Sequence, residues 1–156
     1  MGVWWFFLRP VSAGDDWEDP QLSFGLCGQP GAGRACVIDG DTLHIRRGDN
    51  LRRVRITGFD APELEGACPA ESAKAIEARA ALHAWLAEGA FEWDGGERAS
   101  DAGGTSGPPT DKYGRELRAL RRADGAGGHA MLADHMLKLG LAGESGWGTS
   151  PTDWCA

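Results

Sequence analysis

The chain has no Cys-x-x-Cys pair, and its histidines (His44, His83, His129 and His135) show no metal-binding spacing. That argues against a zinc ribbon, a thioredoxin-like centre or an imidazole-held metal. It also has no internal repeat and no coiled-coil heptads. Its apolar run Val3 to Leu8 is too short to cross a membrane. The run is also shorter than a signal-peptide core, and Arg9 follows it rather than precedes it. It reads either as the remnant of an export or anchor segment or as an apolar tail that packs on the domain or frays. Basic residues are scarce: 16 Lys and Arg face 23 Asp and Glu, a net charge of −7. This counts against a broad, non-specific nucleic-acid binder, which carries a basic face.

The charge is nevertheless uneven. Arg46, Arg47, Arg52, Arg53 and Arg55 lie within ten residues, opposed there only by Asp49. The acidic excess lies in Asp15 to Asp19 and along Glu63 to Glu97. A local basic patch can act within a Debye length while the remainder of the surface repels. At 156 residues and 42% apolar, the chain can bury one core. Cys27, Cys36, Cys68 and Cys155 allow two disulfides in three pairings, or four buried thiols acting as small hydrophobes.

Patterning starts after a weakly patterned segment, residues 1–35, whose Gly25, Gly28, Pro30, Gly31 and Gly33 mark a loop. Leu43 with Ile45, and Val54 with Ile56, alternate with polar neighbours as strands do. Gly48-Asp49-Asn50 between them reads as a hairpin turn. Pro69 suits a first helical turn, and Ala75, Ala78, Leu82 and Trp85 or Leu86 then form one apolar helical face that Gly89 stops. A short strand at Phe91 to Trp93 precedes a Gly/Ser/Pro-rich loop over 95–110. A strand at Leu117 to Leu120, a turn at Gly125 to Gly128 and a helix with Leu132, Met136 and Leu139 on its apolar face complete the pattern. Short hairpin strands with two amphipathic helices predict an α+β domain, a small β-barrel with helices packed on it.

Three clusters carry chemistry. Asp39-Gly40-Asp41-Thr42 offers two carboxylates two residues apart, suited to a hard cation with oxygen ligands, although Asp-Gly-Asp is also a common turn. Arg55 lies on the strand face opposite Val54 and Ile56. Asp60 and Glu63 follow the strand end, with Pro62 stiffening the turn. One strand end thus delivers a cation and two carboxylates to a single spot, where a surface salt bridge is the plainer reading. Asp111-Lys112-Tyr113-Gly114-Arg115 is the third cluster, and a lone Arg after a turn is usually a solvated charge.

Taken in order, VIDGDT, RITGFDAPE and DKYGR, followed by the apolar helix ending in KLGLA, resemble the staphylococcal nuclease (thermonuclease) family. The resemblance spans roughly residues 36–142 and would make these the nuclease domain, with 1–35 an apolar tail and entry segment and 143–156 a C-terminal tail. Phe24 to Cys36 also looks like the entry segment of a bacterial subgroup. The resemblance implies an α+β fold, a five-stranded OB-fold Greek-key barrel with two or three packed helices. It implies a Ca²⁺-dependent nuclease acting on DNA or RNA, with single strands favoured and 3′-phosphate products. By the same resemblance Asp41, Asp60 and the backbone carbonyl of Ala61 would ligate Ca²⁺, and Asp39 would hold a metal-bound water. The family often has Thr where Ala61 stands, and a carbonyl ligand tolerates the change. Glu63 would orient or deprotonate the attacking water, Arg55 and Arg115 would grip the scissile phosphate, and Lys112 and Tyr113 would touch a neighbouring one. Arg forks match phosphate oxygens and stay charged, and a carboxylate near Ca²⁺ stays ionised as a general base must. Trp147 is a candidate stacking surface for a base or a plug for the barrel end.

The chain departs from the family pattern in its long 95–110 loop and after Leu141, where Gly143, Glu144, Ser145 and Gly146 stand in place of aromatic residues. The alternative readings are a non-catalytic module of the same fold that binds nucleic acid or protein, and a metal hydrolase acting on another phosphoester. Retention of Asp41, Asp60 and Glu63 favours the enzyme. The expected protein is a monomer with no obligate partner. It is exported or membrane-tethered, because calcium is abundant outside cells and the cysteines could pair there.

Overall fold

The computed structural model describes residues 17–94, 109–145 and 151–156. Val3 to Leu8, most of the 95–110 loop and Trp147 lie outside these residues. The chain runs through β1 (Trp17–Glu18), β2 (Phe24–Leu26), β3 (Ala35–Asp39), β4 (Thr42–Arg47) and β5 (Asn50–Ile56). Helix α1 (Pro69–Ala87) follows, then β6 (Glu92–Asp94), β7 (Glu116–Arg118), β8 (Leu120–Ala123), β9 (His129–Met131) and helix α2 (Leu132–Lys138). The strands form two sheets, ordered β2-β3-β4-β5-β7 and β1-β6-β8-β9. The fold is therefore α+β as expected. Among the described residues the sheets do not close into a barrel. No described helix is long and apolar enough to cross a membrane.

The alternation read in the sequence is the core. Val37, Leu43, Ile45, Val54 and Ile56 all point to one face of the larger sheet and are buried. Ala78, Leu82, Trp85 and Leu86 of α1, and Leu132 and Met136 of α2, belong to the same core. Each large aliphatic side chain removed from water contributes about 1.5–3 kcal/mol. Pro69 opens α1, and its buried face is Ala75, Ala78, Leu82, Trp85 and Leu86, as its spacing predicts.

Four details differ from the sequence reading. First, β1 and β2 lie in a segment that showed little pattern. Strand β2 pairs parallel with β3, Phe24 opposite Ala35. Residues 27–34 connect them, fewer than the dozen or so that a parallel crossover usually needs. The Cys27–Cys36 disulfide closes this connection, and a second disulfide joins Cys68 to Cys155. Second, the expected strand Leu117 to Leu120 is two strands. Glu116 to Arg118 pair with β5, whereas Leu120 pairs with Trp93 of β6. Arg118 and Leu120 are both buried, so the chain keeps its period of two while changing partner at Ala119. A strand that passes between sheets in this way makes a corner. Third, α2 ends at Lys138 and Leu139 is 49% exposed. The N–H of Leu141 donates to the Met136 carbonyl at 3.1 Å, and this closing turn swings Leu139 outward while Leu141 packs on the core. Fourth, the C-terminal stretch returns to the domain: Gly143 and Asp60 exchange backbone hydrogen bonds of 2.8 and 2.9 Å.

Candidate functional site

The Asp39–Asp41 turn joins β3 to β4, and its middle residue explains its shape. A Cβ on Gly40 would lie 2.8 Å from the Ala78 Cβ of α1 and 2.9 Å from the Ala61 Cβ. Only glycine allows α1 and the 60–61 segment to close on the turn. The backbone N–H of Asp41 donates to Asp39 Oδ1 at 3.1 Å. Gly58, at φ +96°, reverses the chain after β5 and returns Asp60 and Ala61 to the same place.

Asp41 sits at the centre. Its side chain is 9% exposed. The Ala61 N–H donates to Oδ2 at 3.0 Å, and Thr42 Oγ1 donates to Oδ1 at 3.1 Å. Arg55 reaches the same Oδ2 at 3.0 Å and Asp60 Oδ1 at 3.1 Å. The Arg55 guanidinium also donates to the carbonyls of Ile56 and Phe59. One guanidinium is thus held between two carboxylates and two carbonyls. Burial nonetheless pushes the Asp41 carboxyl up to about 7, with Asp39 adding to the rise and Arg55 and the Ala61 N–H opposing it. Loss of hydration outweighs the help of Arg55, so the protonated form competes near neutrality.

Glu63 is exposed, and its carboxyl is raised by desolvation and then by Asp39, Asp60 and Glu71, against Arg55. Its loop is fixed by a residue that sequence reasoning missed. Glu71, in the first turn of α1, accepts the Glu63 N–H and the Ala67 N–H, each at 3.0 Å. An acidic side chain at a helix start was the available signal.

The third cluster lies alongside. The parallel register Val54–Glu116 and Arg55–Leu117 puts Arg115 one residue before the paired stretch, on the alternation face of Arg53 and Arg55. Arg53 donates to the Tyr113 carbonyl, which anchors the loop to β5. Asp111 shapes the loop by accepting the N–H groups of Tyr113 and Arg115 and the Arg115 guanidinium, the last at 2.7 Å. Desolvation opposes these bonds, but together they lower the Asp111 carboxyl. Lys112 and Arg115 both lie near the Tyr113 ring, at 5.1 and 5.4 Å from its centroid.

The structure thus brings together Asp39, Asp41, Arg55, Asp60 and Ala61, with Glu63 in electrostatic reach. It sets Lys112, Tyr113 and Arg115 beside them, in the loop that leads into β7. Asp60 is turned to Arg55, and Arg115 is paired with Asp111. Among the described residues no three His, Cys, Asp or Glu side chains gather in a metal-holding arrangement. The chemistry of the donors still suits calcium: they are all oxygens, and the buried one, Asp41, has a second carboxylate, Asp39, as its neighbour. No known family model matches the chain, and no curated protein matches it.

Proposed function

We propose that this chain is a calcium-dependent phosphodiester hydrolase of nucleic acid, on an OB-type barrel of the staphylococcal nuclease kind. The observation that supports it best is the buried Asp41 carboxyl, beside which its own turn sets Asp39 and the end of β5 with its following loop sets Arg55 and Asp60. A structural salt bridge needs only one carboxylate per guanidinium; here Arg55 faces two, the buried Asp41 and the half-exposed Asp60, with Asp39 close by. The corner at Ala119, where one strand passes between the two sheets, agrees with a barrel-like arrangement.

In this reading Asp41, Asp60 and the Ala61 carbonyl hold Ca²⁺, with Asp39 beside them. When bound, the ion supplies positive charge to the phosphate and to its attacking water. Arg55 is the fork for the scissile phosphate, able to exchange part of its carboxylate pairing for the substrate's non-bridging oxygens. Arg115 reaches the same anion from the loop before β7 by releasing Asp111. Lys112 and Tyr113 serve the neighbouring phosphate. Glu63 takes a proton from the water as its oxygen bonds to phosphorus. The bond from phosphorus to the 5′ oxygen then breaks, and that oxygen takes a proton from solvent, leaving a 3′-phosphate and a 5′-hydroxyl. The Glu63 carboxyl, raised by desolvation and then by Asp39 and Asp60, stays ionised as a general base must once bound Ca²⁺ offsets those two charges.

A non-catalytic binding module is the second reading. It is favoured by the pairing of Arg115 with Asp111 and by the lack of a gathered ligand set among the described residues. Release of acid-soluble nucleotides from heat-denatured DNA and from RNA separates the two. Calcium-dependent release, abolished by a chelator, supports the enzyme. No release, together with no calcium-induced thermal stabilisation, supports the module.

A further inference from the structure

The five clustered arginines do not act as one patch. Arg52 joins an internal network, whereas Arg46, Arg53 and Arg55 share the outer face of the larger sheet by the period-two rule. The antiparallel register sets Arg55 opposite Thr42, then Arg53 opposite His44, then Leu51 opposite Arg46. Stepping outward from Arg55, these face positions of β4 and β5 carry His44, Arg53 and Arg46 and no carboxylate. Beyond them, the Arg46 N–H donates to the Arg34 carbonyl at 2.7 Å, which brings Arg34 level with Arg46. A cavity of about 330 Å³ opens here, beside the Cys27–Cys36 disulfide, with Arg34, His44 and Arg46 among its lining residues. His44 is held below its usual value by desolvation and then by Arg53 and Arg46, against the opposing pull of Asp39.

We propose that this surface is an extended track for the sugar-phosphate backbone of a single nucleic-acid strand, ending in the Arg34/Arg46 cavity. The inference rests on the hydrolase reading and extends it from one phosphate to several. The argument is charge complementarity. In a chain with a net charge of −7, Arg53, Arg46 and Arg34, running outward from the Asp39 end of the sheet, select a polyanion locally. Four residues of β4 separate Thr42 from Arg46, about 13 Å along the strand, further than one phosphate group reaches. The track therefore discriminates by substrate length, whereas Arg55 and Arg115 act on the scissile bond. It also explains how an acidic protein could hold nucleic acid: the contacts lie in one row and not over the whole surface.

The test uses the double variant Arg34→Ala/Arg46→Ala. Both side chains are exposed, so the melting temperature should not change. With calcium, KM for a single-stranded dodecamer is expected to rise about tenfold. KM for a dinucleotide with one phosphodiester bond should stay unchanged. The slope of log KM for the dodecamer against log salt should fall by about 1.4, two contacts' worth for a single strand. An unchanged dodecamer KM would overturn the track, as would an equal loss on the dinucleotide. If the wild-type protein hydrolyses neither substrate, the hydrolase reading fails on its own. Fluorescence anisotropy of the labelled dodecamer then decides the track, since equal affinity of wild-type and variant protein would end it.

Discussion

Asp41 is the residue on which the site turns, and its ionisation gives the most direct handle. Its ordinary value is 3.8, and burial raises it to about 7 in the folded chain. A carboxyl raised on folding contributes stability that is fully present below its unfolded value and is lost as pH rises through its folded value. Calcium needs the ionised form, so binding expels the proton. The calcium-induced rise in melting temperature should therefore be larger at about pH 8 than at about pH 5. Differential scanning fluorimetry checks this, and a pH-independent rise would count against Asp41 as a ligand. Asp41→Ala should abolish the calcium effect. It should also cost about 1–3 kcal/mol in calcium-free protein, because it leaves the buried Ala61 N–H without its acceptor.

At the scale of elements, the junction of the two sheets is held by an ionic network that composition gives no hint of. Glu116 of β7 accepts two bonds of 2.8 Å from Arg52 of β5 and others from Arg118. Arg118, only 5% exposed, also donates to the Asp94 carbonyl and lies over the Trp93 ring, 4.4 Å from its centroid. Removing the acid leaves the buried Arg118 guanidinium to a longer, 3.7 Å contact with the exposed Glu18. Glu116→Ala should therefore destabilise the fold by about 2–3 kcal/mol, less than a fully buried pair would lose because Arg52 is a third exposed and Arg118 keeps Glu18, measured by urea unfolding. A cost below 1 kcal/mol would show that solvent reaches the network. In the sequence Arg52 and Arg53 are neighbours in one basic run. The period of two sends one to the sheet junction and the other to the outer face, and only the partner strand reveals which. The α1 face and the β4–β5 hairpin were legible because their signal is local. Strands β1 and β2 were not: two or three residues carry no periodicity, and they exist because of remote partners, Trp93 and Ala35.

Over the whole molecule, two disulfides add what a small core leaves short. Four cysteines alone left three pairings open; the pairing depends on where the C-terminus returns, and Gly143 bonding to Asp60 is the first sign of that return. Cys68–Cys155 spans 87 residues, so its loss should release about 4.5 kcal/mol of loop-closure entropy to the unfolded state. Cys27–Cys36 spans 9, and its loss should cost under about 3 kcal/mol. Unfolding of Cys155→Ser and Cys36→Ser variants should rank in that order, and the reverse ranking would mean that the β2–β3 staple dominates. The clustering of Asp39, Asp41, Arg55 and Asp60 was legible from motif order. Their shared guanidinium, the Glu71 clamp on the Glu63 loop and the Asp111 hold on Arg115 were not, because each joins side chains whose approach depends on packing. The most direct test of the account is nucleotide release from heat-denatured DNA by wild-type protein and Glu63→Gln, side by side, in calcium. The account expects calcium-dependent release by the wild type and a loss of about 10²–10⁴-fold in the variant, with an unchanged melting temperature. Near-equal release by the two would contradict it.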